Sequence, residues 1–255
     1  MIKKLFCACI YLYQGSAVRN LQDHTVVDND AARLAAYYCN NNADRIIVFD
    51  QSNTDEEHEL ALDTIKKIAI ACEVPVIGAG NVKRMEDVKK LLYAGCAKAV
   101  LNYSKESNIE ITEEVSQKFG KSKILVSYTD TGSLEAHKDL LKEYVSELIC
   151  LDKNQVKNNT GIPTICSLEK ATPEEAKEIL LTDHVSGLTG NVINDTIEDT
   201  FSQKISLAKE GVLVSACEAA MKWSDFKLNS DQMLPVIVQD YKTNEVLMMA
   251  YMNEE

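Results

Sequence analysis

Short apolar runs alternate with amphipathic stretches almost from one end of the chain to the other. Eight of the runs read as strands: Leu5–Leu12, Arg45–Asp50, Val74–Gly78, Ala97–Asn102, Lys123–Tyr128, Glu147–Leu151, Ile162–Ser167 and His184–Thr189. Several, such as Ile46-Ile47-Val48-Phe49 and Ile124-Leu125-Val126, are apolar without alternation. A strand covered by helices on both faces reads this way, so the sheet is expected to be parallel. Between the runs, apolar positions recur with helical spacing over Asp30–Asn40, Glu56–Cys72, Met85–Ala94, Thr112–Phe119, Leu134–Val145 and Pro173–Leu180. Thr172-Pro173-Glu174-Glu175 supplies an N-cap, a proline at the first helical position and acids in the first turn, where the helix dipole favours them. From Asp152 to Gly161 the chain is polar, Asn-rich and too short for a crossover helix, so the sixth unit reads as worn down to a loop. A further helical stretch is expected from about Asp195 to Met221.

An internal repeat organises these elements. Pro75/Pro163, Ile77/Ile165, Glu86/Glu174, Lys89/Lys177 and Leu92/Leu180 coincide without a gap at an offset of 88 positions. Ile47-Val48-Phe49-Asp50 likewise resembles Ile149-Cys150-Leu151-Asp152. Two similar βαβα halves imply an α/β fold, a (β/α)8 TIM-type barrel with a degenerate sixth unit.

Composition narrows the partners. The chain has 255 residues, 45% of them apolar and 26% charged, which suits a globular protein. The net charge of −12 and the lack of any Lys/Arg-rich run exclude a nucleic-acid backbone or an anionic membrane as the natural partner and favour small molecules. Phosphates remain open, because backbone N–H groups at helix starts bind them whatever the overall charge. The eight cysteines form no C-x-x-C pair and read as reduced thiols filling core space, with no metal site. The apolar part of Met1–Ile10 is too short for a signal peptide and reads as a first strand. No stretch approaches the ~20 apolar residues of a membrane helix, so a soluble, cytoplasmic protein is expected.

The segment from Pro75 to Asn102, with Ala8–Gly15 and Asn42–Asp50, resembles the barrels of histidine biosynthesis: the cyclase subunit of imidazole glycerol phosphate synthase and the related isomerase. The resemblance covers about residues 1–195. It implies a phosphate site built on a glycine-rich turn after the third strand, here Ala79-Gly80-Asn81, with Asn102 at the end of the fourth. The phosphate-binding candidates are therefore Gly80, Asn81 and Asn102, for a phosphoribosyl-type substrate. A second phosphate loop, after the seventh strand in that family, reads here as Ser167-Leu168-Glu169-Lys170, whose acid and bulk disfavour an anion. The resemblance also implies two facing carboxylates. The matching positions hold Tyr11 and either Tyr128 or Thr129, with Asp50 and Asp130 the nearest acids, so no catalytic residue is assigned and a catalytically silent barrel is expected.

Composition shifts at Trp223, dividing the chain into residues 1–222 and 223–255. The second part reads as two strands joined by a polar turn at Asp240–Asn244, the first hairpin of a truncated β-rich domain. It resembles the opening of phosphoribosyl-AMP cyclohydrolase. That resemblance implies a fused parent enzyme that hydrolyses phosphoribosyl-AMP, with a phosphoribosyl-ATP diphosphatase beyond it. It further implies a homodimeric cyclohydrolase portion and zinc and magnesium ligands after Glu255, none of them in this segment. The alternatives are an inert sugar-phosphate-binding scaffold, or an active barrel isomerase or cyclase of the same pathway.

Overall fold

A computed structural model of the chain describes residues 2–157, 159–216, 221–240 and 243–254. The chain divides into two compact units, residues 1–216 and 217–255. The first unit begins with β1 (Leu5–Tyr13), β2 (Ser16–Val18), β3 (Val26–Asp28), α1 (Ala31–Asn40), β4 (Arg45–Asp50), α2 (Asp55–Ala71), β5 (Val76–Ala79) and α3 (Met85–Tyr93). It continues with β6 (Lys98–Asn102), α4 (Glu106–Glu110), α5 (Thr112–Phe119), β7 (Ile124–Tyr128), α6 (Gly132–Ala136), α7 (Lys138–Tyr144) and β8 (Glu147–Cys150). The last elements are β9 (Thr164–Ser167), α8 (Pro173–Leu181), β10 (Val185–Thr189), α9 (Asn191–Asn194) and α10 (Thr200–Lys209). Strands β1, β4, β5, β6, β7, β8, β9 and β10 pair in parallel in that order, and β10 pairs back onto β1, with Leu5 opposite Gly187. This is the closed (β/α)8 barrel that the apolar runs predict.

The repeat is visible in the architecture. Strands β5 and β9 begin at Val76 and Thr164, and helices α3 and α8 run from Met85 to Tyr93 and from Pro173 to Leu181, so the offset of 88 holds for all three boundaries. The predicted cap is present: the Thr172 hydroxyl accepts from Glu175 N at 3.2 Å, ahead of Pro173. Between β8 and β9 the described residues form only a single 3-10 turn, Lys153–Gln155, in the worn sixth unit.

Three expectations need correcting. The helix expected over Leu134–Val145 is two pieces, α6 and α7, interrupted at His137, whose Nδ1 engages Ser133 O at 2.9 Å. The helix expected to reach Met221 stops at Lys209, because Gly211 takes a left-handed φ of +83° that reverses the chain; residues 217–220 lie outside the described residues. An antiparallel excursion, β2 and β3, follows β1 where no element was predicted.

Side chains of the barrel strands sort into two layers. Cys7, Cys9, Tyr11, Ile47, Phe49, Ile77, Ala79, Val100, Leu125, Ile149 and Ile165 fill the interior, with the Tyr11 and Phe49 rings stacked 5.4 Å apart. Alternate residues such as Ala8, Ile10, Ile46, Val48 and Val126 pack outward with the helices. The start of the barrel is plugged by charge: Glu147 accepts from both the Arg45 guanidinium and the Lys98 ammonium. Burial pushes the Glu147 carboxyl up, but the bonds and charges of Arg45 and Lys98 outweigh it and hold the group below the ordinary glutamate value. A depressed folded pKa stabilises the fold fully above the unfolded value of about 4.3 and loses that stabilisation as pH falls through the folded pKa. We therefore expect Glu147→Gln to weaken the barrel at neutral pH and to flatten the fall of its urea midpoint between about pH 5 and pH 3. An unchanged acid slope would exclude the cluster as its source.

The second unit contains β11 (Leu234–Gln239) and β12 (Val246–Met252), antiparallel, with Val236 opposite Ala250. This is the predicted hairpin; two residues of its connecting turn, 241 and 242, lie outside the described residues.

Candidate functional site

Where the barrel strands end, β5 and β6 enclose one side of a cavity of about 240 Å3 lined by residues that include Gly80, Asn81, Val82, Asn102, Lys105 and Asn108. All three residues singled out from the sequence, Gly80, Asn81 and Asn102, border it. The turn after β5 is left-handed at Gly80 (φ +93°) and Asn81 (φ +52°). A Cβ at Gly80 would stand 2.1 Å from Asp50 O, so only glycine lets this turn back onto the end of β4. Asn81 is fixed by its own amide, whose Nδ2 donates to Ser52 O at 2.9 Å. The N–H groups of Lys83 and Arg84 are already used, both donating to Asp87 Oδ2 (2.9 and 3.1 Å). The groups left for a ligand are those of Gly80, Asn81 and Val82, which have no acceptor among the described residues.

The opposite wall is the β6–α4 loop. Asn102 Oδ1 accepts from Ser104 N at 2.9 Å, which leaves its Nδ2 without an acceptor among the described residues. Lys105 is exposed and forms no ion pair among the described residues. Asn108 is buried, with Nδ2 donating to Asn102 O at 3.2 Å and Oδ1 unpaired. Lys105 and Asn108 were not legible in the sequence as site residues. The β2–β3 excursion completes the rim: Leu21 borders the cavity, Gln51 Nε2 donates to Asn20 O (3.4 Å), and His24 stacks on Tyr13 with centroids 3.8 Å apart. Its root is anchored by a bidentate pair from Arg19 to Asp195 (2.6 and 2.5 Å).

Across the mouth the turn after β10 is also built on a glycine. Gly190 is also left-handed (φ +91°), and a Cβ there would stand 2.7 Å from Leu168 O. The space ahead of it is held by Glu169, whose Oε2 accepts from Asn191 Nδ2 (2.7 Å) and Asn20 Nδ2 (3.2 Å). Burial pushes the Glu169 carboxyl above its ordinary value, against the opposing pull of Asn20, Arg19 and Asn191. Beside it Tyr11 is buried, and Cys9 Sγ lies 2.9 Å from Thr189 Oγ1.

The other acids considered from the sequence are placed differently. Asp50 points away from the barrel interior: its Oδ2 meets His58 Nδ1 at 2.5 Å, and its Oδ1 accepts from Ser52 N at 2.8 Å and Ser52 Oγ at 2.5 Å. Burial would raise its pKa, but the bonds from His58, Ser52 and Asn81 prevail and lower it. It ties the start of α2 to β4 and is not half of a pair facing the mouth. Asp130 is exposed and closes its own turn, with Oδ1 accepting from Gly132 N at 2.9 Å. Tyr128 packs in the outer layer, while Thr129 reaches Ser104 Oγ at 3.4 Å. Among the described residues no group of three or more His, Cys, Asp and Glu side chains could hold a metal ion, and no helix is long and apolar enough to cross a membrane.

A closed parallel barrel with a polar mouth that carries glycine turns after β5 and after β10 is the frame of a small-molecule enzyme. The profile of the histidine biosynthesis protein family matches residues 6–187, and the chain belongs to that family. It is 26% identical over 249 residues to imidazole glycerol phosphate synthase subunit HisF of Staphylococcus saprophyticus, a match covering 83% of this chain and 98% of that protein. It is 31% identical over 128 residues to the subunits of the same name from Staphylococcus aureus strains JH9 and Newman, covering 50% of this chain and 51% of theirs. These matches correct the enzymatic expectation drawn from the C-terminal hairpin. The relatives are synthase subunits and not cyclohydrolases, and the similarity lies in the barrel that was expected to be silent.

Proposed function

We propose that this chain is an active barrel of histidine biosynthesis that holds a phosphoribosyl-type substrate by one phosphate and works as the cyclase-type subunit of a synthase, beside a partner subunit. The observation that carries the reading is the β5–α3 turn, where three consecutive N–H groups without acceptors among the described residues share one cavity with Asn102 and Lys105. Consecutive N–H groups in such a turn ahead of a helix form a concave anion site, and a nearby ammonium adds charge. The names of the relatives support a phosphorylated small molecule and a second subunit. At the far end, Glu169 excludes a second phosphate and takes the acid–base role that the displaced Asp50 cannot serve.

Ribose 5-phosphate titrated by calorimetry and NMR tests the site, with amide shifts expected around Gly80 to Val82 and Asn102. Asn102→Ala is expected to weaken binding roughly 10- to 150-fold, the loss of one hydrogen bond to a charged group. Gly80 is unsuitable for this test because any Cβ collides with Asp50 O. No binding at millimolar ligand, or shifts centred on Glu169, would overturn the assignment. Activity is read separately, as formation of imidazole glycerol phosphate.

A further inference from the structure

A second polar cavity, of about 470 Å3, lies between α2 and α3. Asn81 borders both this cavity and the one at the mouth, and no other residue lines the two. His58, in the first turn of α2, contributes its ring to the lining, although its side chain is only 8% exposed. Its Nδ1 meets Asp50 Oδ2 at 2.5 Å, so Nδ1 carries the ring hydrogen and donates it to the carboxylate. Nε2, on the edge of the ring turned away from Asp50, is buried and has no hydrogen-bond partner among the described residues. Buried polar atoms are nearly always partnered, and an orphan of this kind calls for an unseen ligand or water.

Three cations border the same cavity, each with an acid beside it. Lys83 Nζ lies 3.6 Å from Asp55 Oδ1, Lys90 Nζ 2.5 Å from Glu59 Oε1 and Arg84 Nε 3.9 Å from Asp87 Oδ1. In both lysine pairs the acid is the more exposed partner, 97% against 66% and 61% against 34%, so the carboxylate is the member free to swing into water. Asp87 is held on the backbone by the N–H groups of Lys83 and Arg84. A ligand that opens the two exposed pairs is left with two ammonium groups, a guanidinium and an unsatisfied imidazole nitrogen.

We propose that this cavity is an anion site for a phosphate group, free or as a monoester, in which His58 Nε2 shares a proton with one phosphate oxygen while Lys83, Arg84 and Lys90 hold the others. A phosphate ester loses its second proton near pH 6, so around neutrality it presents both P–OH and P–O⁻. It therefore satisfies Nε2 in either state: a neutral ring accepts from P–OH, and a charged ring donates to P–O⁻. Sulfate, fully ionised, can serve only the charged ring. The charge-assisted bonds from the three cations supply the affinity. The site is separate from the substrate turn, since Gly80, Val82 and Asn102 do not border it.

The test follows the ring nitrogens of His58 by NMR in the 255-residue chain while inorganic phosphate is added at constant ionic strength near neutral pH. The His58 Nε2 signal should shift and saturate at millimolar phosphate, and sulfate should compete at least about tenfold more weakly. Lys83→Gln combined with Lys90→Gln removes two exposed side chains and should weaken phosphate at least about tenfold, the loss of a charge-assisted bond. Asn102→Ala should leave the His58 response unchanged, so the outcome does not depend on whether a sugar phosphate occupies the Gly80–Val82 turn. A His58 signal that ignores phosphate, a response equal with sulfate, one unaltered by the paired lysine substitutions, or one lost in Asn102→Ala would each overturn the proposal.

Discussion

Replacing Lys204 with alanine is expected to lower the unfolding free energy of the barrel by about 3–5 kcal/mol, the cost of leaving a buried charge without its partner. Lys204 is on α10, and its side chain is 3% exposed. Its ammonium meets Asp44 Oδ1 at 2.8 Å, donates to Asn42 O at 2.7 Å and lies 5.7 Å above the Phe6 ring. Asp44 itself is 8% exposed and accepts from Phe6 N at 2.8 Å. One cation thus ties the last helix of the barrel to the starts of β1 and β4, across the seam where the chain closes on itself. Lys204→Met should cost nearly as much although it restores most of the packing, because Asp44 is left with one backbone donor. Lys204→Met combined with Asp44→Asn should recover part of the loss, since no carboxylate then remains buried. Urea unfolding of the three variants decides the matter. A cost below about 1 kcal/mol for Lys204→Ala would mean that the pair behaves as an exposed one.

The barrel was legible because its strands are covered on both faces, and uninterrupted apolar runs of four to six residues between helical patterns have few other uses. The repeat added what periodicity lacks: it paired β5 with β9 and α3 with α8, and those boundaries recur 88 residues apart. The same two-sided burial hid the orientation of Asp50. With Ile46, Ile47, Val48 and Phe49 all apolar, nothing in the sequence says which parity faces the interior, so an acid at the strand end could point to the mouth or away from it. In the fold Ile47 and Phe49 point inward, and Asp50 falls on the outer parity with Ile46 and Val48, against His58 of α2.

The rim of the mouth was less legible. Strands β2 and β3 have three residues each and no alternation to betray them. The available signal was length: thirteen positions separate Gly15 from Asn29 without a helical pattern, longer than the usual link from strand to helix. Asn20 and Leu21 enter the site on that link. The cysteines show the opposite difficulty. Composition made all eight core thiols, which describes Cys7 or Cys166 but not Cys39 and Cys72, whose exposure follows from where α1 and α2 end. Cys217 lies outside the described residues.

Glu169→Gln should reduce turnover of the synthase substrate about 10²–10⁴-fold, the usual contribution of a positioned acid–base group, while leaving phosphate affinity unchanged. Glutamine keeps the size of the side chain and can still bond to Asn20 and Asn191, so the rim should hold its shape and only proton transfer should be lost. On the proposed reading, affinity is set at the other wall, by the Gly80–Val82 turn and Asn102, and Glu169 bonds to neither. The pH profile separates the two roles. Burial raises the Glu169 pKa, so the wild-type chain should gain or lose activity through this group at a pH above the ordinary glutamate value of about 4.3. If Glu169 is the base, activity falls as pH drops through that raised pKa; if it is the acid, activity falls as pH climbs through it. Either limb must vanish in Glu169→Gln, and Asn102→Ala must keep it while binding substrate more weakly. A Glu169→Gln enzyme with wild-type turnover, or one that retains the limb, would leave the chemistry to another group at the mouth, with Asp130 the next carboxylate to replace.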